Sequence, residues 1–147
     1  MSGTIERQVA ELLAAQPLGV LCTRGARLHA SLIAIASSQD LRTILFATAR
    51  DTEKFNNLAT DPEAAFLVHN ARGTPEDFQQ ALALTIQGRA GEVEFAAQKV
   101  FDRIYLGRHQ SLAPFIAAPT TARMILAVDT YRLVRRFEQV QILRFDQ

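Results

Sequence analysis

The segment Phe46-Ala47-Thr48-Ala49-Arg50-Asp51-Thr52-Glu53-Lys54 is where the chain changes its period, and the rest of the fold is read outward from it. Before it, Thr43 to Thr48 is rich in β-branched and aromatic residues, which predicts a strand. After it, Phe55, Leu58 and Ala59 share one face of a short helix that Asp51 or Thr52 can cap and that Asp61-Pro62 ends. A strand running directly into a helix start gathers hydroxyls, unpaired backbone N–H groups and the cations Arg50 and Lys54 at one place. Helix N-termini carry partial positive charge and free donors, so this junction suits a phosphate. Asp51 and Glu53 oppose that use unless Asp51 caps the helix or meets solvent and Glu53 lies on the outer surface. Taken alone, the segment fits an ordinary cap and a solvated lysine better than a phosphate site, since helix starts of this composition are common.

Upstream, Ile5, Val9, Leu12 and Leu13 recur at helical spacing, which predicts an amphipathic helix over about Thr4 to Ala15, stopped by Pro17. Leu18 to Thr23 and Leu28 to Ala36 read as two strands joined tightly through Arg24, Gly25 and Ala26, and Thr43 to Thr48 as a third strand of the same meander. Downstream, Ala64 to Val68 is a strand and Asn70 to Asp77 a polar, mobile loop. Leu82 to Glu94 is a long strand in which Gly88 permits the bulge that curls a sheet into a barrel. Phe95 to Leu106 reads as a helix. Ala122 to Val128 and Tyr131 to Phe137 read as two further strands, and Gln141 to Phe145 as a third.

These elements come from 147 residues with sixteen Lys and Arg against fifteen Asp and Glu, a formal charge of +1. One domain is expected, and the balanced charge gives no whole-molecule attraction to nucleic acid or an anionic membrane. A single cysteine, Cys22 in an apolar run, excludes an intramolecular disulfide and points to a reducing, cytoplasmic setting with Cys22 as a small core residue. The amino terminus lacks the apolar core of a signal peptide, and nothing later reaches membrane-spanning length.

Several pieces in a fixed order resemble the pyridoxamine 5'-phosphate oxidase-like flavoproteins over about residues 5 to 94. They are Leu18-Gly19-Val20-Leu21-Cys22-Thr23, Leu28-His29-Ala30-Ser31-Leu32-Ile33, Leu45-Phe46-Ala47-Thr48 with Thr52-Glu53-Lys54 and Asn57-Leu58, then Asp61-Pro62 and Gln87-Gly88-Arg89-Ala90. The resemblance implies a mainly β fold with peripheral helices, an antiparallel split β-barrel of the FMN-binding type. It also implies FMN as cofactor, with Thr52 and Lys54 on the phosphate, Phe46, Ala47 and Thr48 on the flavin, and Ser31 with Leu32 lining the same pocket. A homodimer with flavin sites at its interface follows from the same likeness, as does oxidoreductase activity on a small molecule. The vitamin-B6 oxidases carry a phosphate-binding Arg on the second strand where this chain has Leu32, so Arg50 is the compensating candidate. They also carry a carboxy-terminal signature with Trp, whereas this chain has no Trp and ends in Val140-Gln141-Ile142-Leu143-Arg144-Phe145. Vitamin-B6 oxidase activity itself is therefore not expected, and no catalytic residue is assigned. The alternative is a flavin or haem carrier without turnover.

The remaining candidates have weaker claims. His29, His69 and His109 form no ligand pair, so no metal site is expected. His29 stands on the strand beside the expected pocket, where an imidazole can donate to ligand or merely end a strand. Arg135 and Arg136 fall on opposite faces if the strand continues through them, so they make no basic stripe, though one of them can reach a partner subunit's ligand.

Overall fold

The computed structural model describes residues 2–145, with side chains from 4 onward. Helix α1 (Ser2–Ala15) buries Ile5, Val9, Leu12 and Leu13 in the main core, as its spacing requires. Strands β1 (Leu18–Arg24) and β2 (Leu28–Ala34) form the expected hairpin, from Leu18 opposite Ala34 to Arg24 opposite Leu28. The third strand behaves differently from a meander. The chain breaks at Ile35, whose N–H bonds to the Pro17 carbonyl at 3.0 Å, and resumes as the two-residue strand β3 (Ala36–Ser37). Only β3 pairs with β4 (Thr43–Ala49), whose other neighbour comes from the far end of the chain.

Helix α2 (Glu53–Thr60) follows, then β5 (Glu63–His69), the short α3 (Asp77–Gln80) and the long β6 (Leu82–Glu92). Helices α4 (Gln98–Arg108) and α5 (Ala113–Ala117) lead to β7 (Thr121–Arg135) and β8 (Gln139–Arg144). The antiparallel order is β2-β1-β5-β6-β7-β4-β3, with β8 beside the second half of β7. Because β3 follows β2 after one residue, the sheet curls back on itself as a split barrel. Phe46 and Phe66 meet edge to face in its interior, ring centroids 5.3 Å apart, among Leu21, Ile44 and Ile86.

Two strands expected between Ala122 and Phe137 are one continuous strand of 15 residues. The register explains it: Gln87 faces Thr130 and Gly88 faces Val128, so Asp129 is an extra residue that the sheet absorbs as a bulge. Gly88 is needed there, since a Cβ would stand 2.1 Å from the Ala127 carbonyl oxygen. The strand ends before Arg136, which adopts φ 55° with Phe137 at 61° in the turn to β8, so Arg135 and Arg136 do not alternate as strand neighbours. The loop before α3 is knitted together: the Asp77 carboxylate accepts N–H bonds from Arg72, Gly73 and Thr74 at 2.7 to 3.1 Å. Those bonds hold the Asp77 carboxyl below the ordinary aspartate range, the Arg72 amide contributing most.

The outside of the barrel has two sectors. Over β3, β4 and the first half of β7, α4 and α5 bury a second apolar cluster of Ala36, Leu45, Ala47, Val93, Phe101, Tyr105 and Ile116. Over β2-β1-β5-β6-β7-β8, no helix among the described residues covers the outer face. One row across it, set by register, runs Leu32–Val20–Leu67–Thr85–Arg132–Ile142. Cys22 belongs to this face and is exposed, contrary to the expectation of a core residue. Strand β1 is apolar on both sides, and the inward places go to Leu21 and Thr23.

Candidate functional site

The junction between β4 and α2 forms as its residue types dictate. Thr52 is the cap, in extended conformation, and its Oγ1 accepts the Phe55 N–H at 3.3 Å while donating to the Ala49 carbonyl at 2.8 Å. Thr48 Oγ1 lies 3.0 Å from Thr52 Oγ1 and 3.1 Å from the Ala49 carbonyl oxygen. Both hydroxyls are thus engaged within the turn, and Thr48 is buried. The first turn leaves the amides of Glu53 and Lys54 without intrahelical acceptors. Lys54 is half-buried and has no hydrogen-bond or ion-pair partner among the described residues. Asp51 is exposed and does not cap.

Arg50 is committed elsewhere. Its guanidinium grips Glu92 with two bonds of 2.9 and 2.6 Å and lies 5.7 Å from the Phe55 ring centroid. The hydrogen bonds from Arg50 hold the Glu92 carboxyl below its ordinary range. This pair is solvent-exposed at 44% and 39%, so its net stabilisation is small and the arginine is free to exchange partners.

The flank of the junction comes from β2. Asn57, buried on α2, donates from Nδ2 to Thr23 Oγ1 at 3.0 Å and so lays the helix over the β1–β2 hairpin. Gly25 makes this approach possible, because a Cβ there would sit 2.0 Å from Asn57 Oδ1. His29 faces Thr23 across the hairpin, and its Nε2 stands 3.8 Å from Glu53 Oε2. The His29 Nδ1 and the Ser31 Oγ are both buried without a partner. Natively folded chains rarely leave such atoms unpaired, so two of them on one strand beside a helix start mark a place that suits a polar ligand.

The residues expected to line one pocket therefore divide. Thr48, Thr52 and Lys54 lie at the junction, with Arg50 beside it but paired to Glu92, and Ser31 lies on β2 opposite Leu21. Strand alternation separates Ser31 from Leu32, which projects onto the bare outer face at 68% exposure. Phe46 points into the barrel and Ala47 lies beneath α4 and α5, so any contact they make to a ligand is through backbone. The sequence reading missed Glu92 as partner of Arg50, since the two are 42 residues apart. It also missed Glu53 as partner of His29. The outer apolar face had a readable signal: Leu18, Val20 and Cys22 alternate with inward residues that are also apolar, a strand with two apolar faces.

Could the junction hold FMN? A phosphate needs donors and positive charge, and the unpaired Lys54, the free first-turn amides and the orphaned Ser31 and His29 atoms supply them. The phosphate end fits.

Solved structures share the fold at low identity. A haem-binding protein from Mycobacterium smegmatis is similar with a TM-score of 0.80 and 18% identity over 92% of this chain, which spans 56% of that protein. General stress protein 26 from Bacillus anthracis gives 0.70 and 18%, covering 96% and 98% of the two chains. A putative pyridoxamine 5'-phosphate oxidase from Listeria innocua gives 0.65 and 19%, covering 95% and 98%. No protein with a curated description matches the sequence. No helix among the described residues is long and apolar enough to cross a membrane. The family model described as pyridoxamine 5'-phosphate oxidase matches residues 5–135, nearly the whole strand series and the junction within it. The chain belongs to the pyridoxamine 5'-phosphate oxidase-like family.

Proposed function

We propose that the protein binds FMN at the β4–α2 junction and acts as a flavin-dependent oxidoreductase on a small molecule, as a homodimer. The observation that carries the reading is Lys54, a half-buried cation with no ion-pair partner among the described residues, on the first turn of a helix capped by Thr52. Lys54 and the amides of Glu53 and Lys54 would hold the phosphate, Ser31 would donate from its otherwise unpaired hydroxyl, and Thr48 and Thr52 keep the turn in shape. FMN, when bound, supplies hydride or electron transfer, which the protein's side chains do not provide. The backbone of Phe46 and Ala47 is held rigid from both sides, which orients whatever lies along β4 without further ordering cost.

The homodimer reading rests on the bare outer face. Leu18, Leu28, Leu32, Leu67, Val140 and Ile142 are exposed on one sheet surface, a concentration of apolar side chains that marks an association site. A second copy applied through a two-fold axis would present the same surface, so that apolar side chains meet apolar side chains. A haem carrier is the second reading. It is favoured by His69, an exposed imidazole on this same face.

The test is a fluorescence titration with FMN and riboflavin. Lys54→Ala should weaken FMN about tenfold while leaving riboflavin unchanged, the loss of one charge-assisted contact. Equal weakening of both flavins would remove Lys54 from the phosphate. A Soret band on adding haemin, with no flavin bound, would favour the second reading.

A further inference from the structure

We propose that the cavity between α1 and the ends of β6 and β7 is a second binding site, for a free α-amino acid with an apolar side chain. It goes beyond the flavin reading and does not depend on it. Thr121, at the start of β7, faces Ala49 beside the junction, whereas Arg135 is the last residue of the same strand. One wall of the cavity is a face of α1, where Gln8, Glu11, Leu12 and Ala15 follow helical spacing of i, i+3, i+4 and i+7. The other wall carries Leu82 and Arg135, which the sheet register sets opposite each other. The cavity measures about 370 Å³, at the small end of the range for small-molecule sites.

Three polar side chains in this lining have no partner among the described residues. Alternation puts Arg135 on the inward side of β7 with the buried Tyr131 and Leu133, and its half-buried guanidinium makes no hydrogen bond or ion pair. Gln8 Oε1 is buried without a hydrogen bond. Glu11 lines the same cavity as Arg135, yet the two form no ion pair. Asn70, also in the lining, is engaged, since its Oδ1 accepts the Leu82 N–H at 2.7 Å. The three unpartnered groups ask opposite things of a ligand. The guanidinium offers paired donors that match a carboxylate, whereas Gln8 Oε1 and the Glu11 carboxylate only accept. A simple anion would face Glu11 and leave Gln8 Oε1 unpaired, and a simple cation would face Arg135. A molecule with a carboxylate and an ammonium close together satisfies both, and that is the common end of every α-amino acid. Its carboxylate would take the Arg135 fork, its ammonium would donate to Gln8 Oε1 and Glu11, and Leu12, Ala15 and Leu82 would receive an apolar side chain.

The test follows the amide resonances of the full chain during titration with L-valine, and with L-valinamide and N-acetyl-L-valine, in which one charged end is blocked. Valine should produce saturable shifts centred on Gln8, Glu11, Leu82 and Arg135, and each blocked form should bind about tenfold more weakly or worse. Arg135→Gln should lower valine affinity about tenfold and leave the weak binding of valinamide unchanged. Glu11→Gln should likewise weaken valine while N-acetyl-valine is unaffected. Absence of saturable valine binding would overturn the proposal. So would equal binding of the free and blocked forms, which would mean that the cavity reads an apolar body alone. A loss in Arg135→Gln shared equally by valine and valinamide would also overturn it, since Arg135 would then shape the cavity without meeting a carboxylate. The blocked ligands are compared on the wild type, so the result stands even where a variant fails to fold.

Discussion

The two sectors of the barrel's outer surface are made of the same kind of strand but finished differently. Over β4, the cover is built by the chain itself, and its polar groups are tied down. Tyr105 donates its hydroxyl to the Ala34 carbonyl at 2.9 Å, His109 Nε2 lies 2.7 Å from the Ile35 carbonyl oxygen, and Arg123 grips Asp102 with bonds of 2.7 and 2.9 Å. Burial pushes the Tyr105 hydroxyl up to about 12, so it remains a donor throughout the physiological range. Over β2, β1 and β5, leucines meet solvent, and no helix among the described residues covers them. The junction lies near the boundary between these sectors, with β4 beneath a finished cover on one side and β2 on the other.

The sharpest way to break the comparison is to put the same charge on each sector. Leu45→Asp, beneath α4, should destabilise the fold by about 3–5 kcal/mol, because the carboxylate is buried unpaired. Leu32→Asp should change the stability of the monomer by no more than about 0.5 kcal/mol, yet weaken self-association about a hundredfold. Chemical denaturation and sedimentation, run on both variants, read the two effects separately. Equal loss of stability would mean that the outer face is not a free surface.

Smaller changes sharpen the picture. Gly88→Ala should cost about 1–3 kcal/mol, since the added Cβ meets the Ala127 carbonyl and backbone cannot yield cheaply. Tyr105→Phe should cost about 1–2 kcal/mol by leaving the Ala34 carbonyl unpaired under the helices, measured by thermal unfolding. The smallest effect concerns the loop before α3. Asp77 has a folded pKa below its ordinary 3.8, so its contribution is fully present above that value and is lost as pH falls through the lower folded value. Amide exchange of Arg72 to Thr74 should accelerate in that acid window and be insensitive to pH-dependent opening from 5 to 7.

How much of this was readable before the structure follows from particular residues. The helix face of Ile5, Val9, Leu12 and Leu13, the hairpin at Gly25 and the bend at Gly88 were legible because each depends on local chemistry. The continuity of β7 was not, because Asp129 and Thr130 look like a turn unless the bulge opposite Gln87 and Gly88 is known. The cap at Thr52 was legible within its own turn. Arg50's commitment to Glu92 and His29's approach to Glu53 were not, since both depend on how α2 is laid across the barrel. Cys22 and Leu32 were misplaced for one common reason: on a strand with two apolar faces, alternation says which residues share a side, never which side is inside.

The most direct test of the account is sedimentation of the purified protein with FMN, followed at the protein's and the flavin's own absorbance. The account predicts that flavin travels with a species of twice the 16.3 kDa chain, one flavin per chain. A protein that sediments without flavin, or a single chain that carries it, would contradict the proposed flavin-binding homodimer.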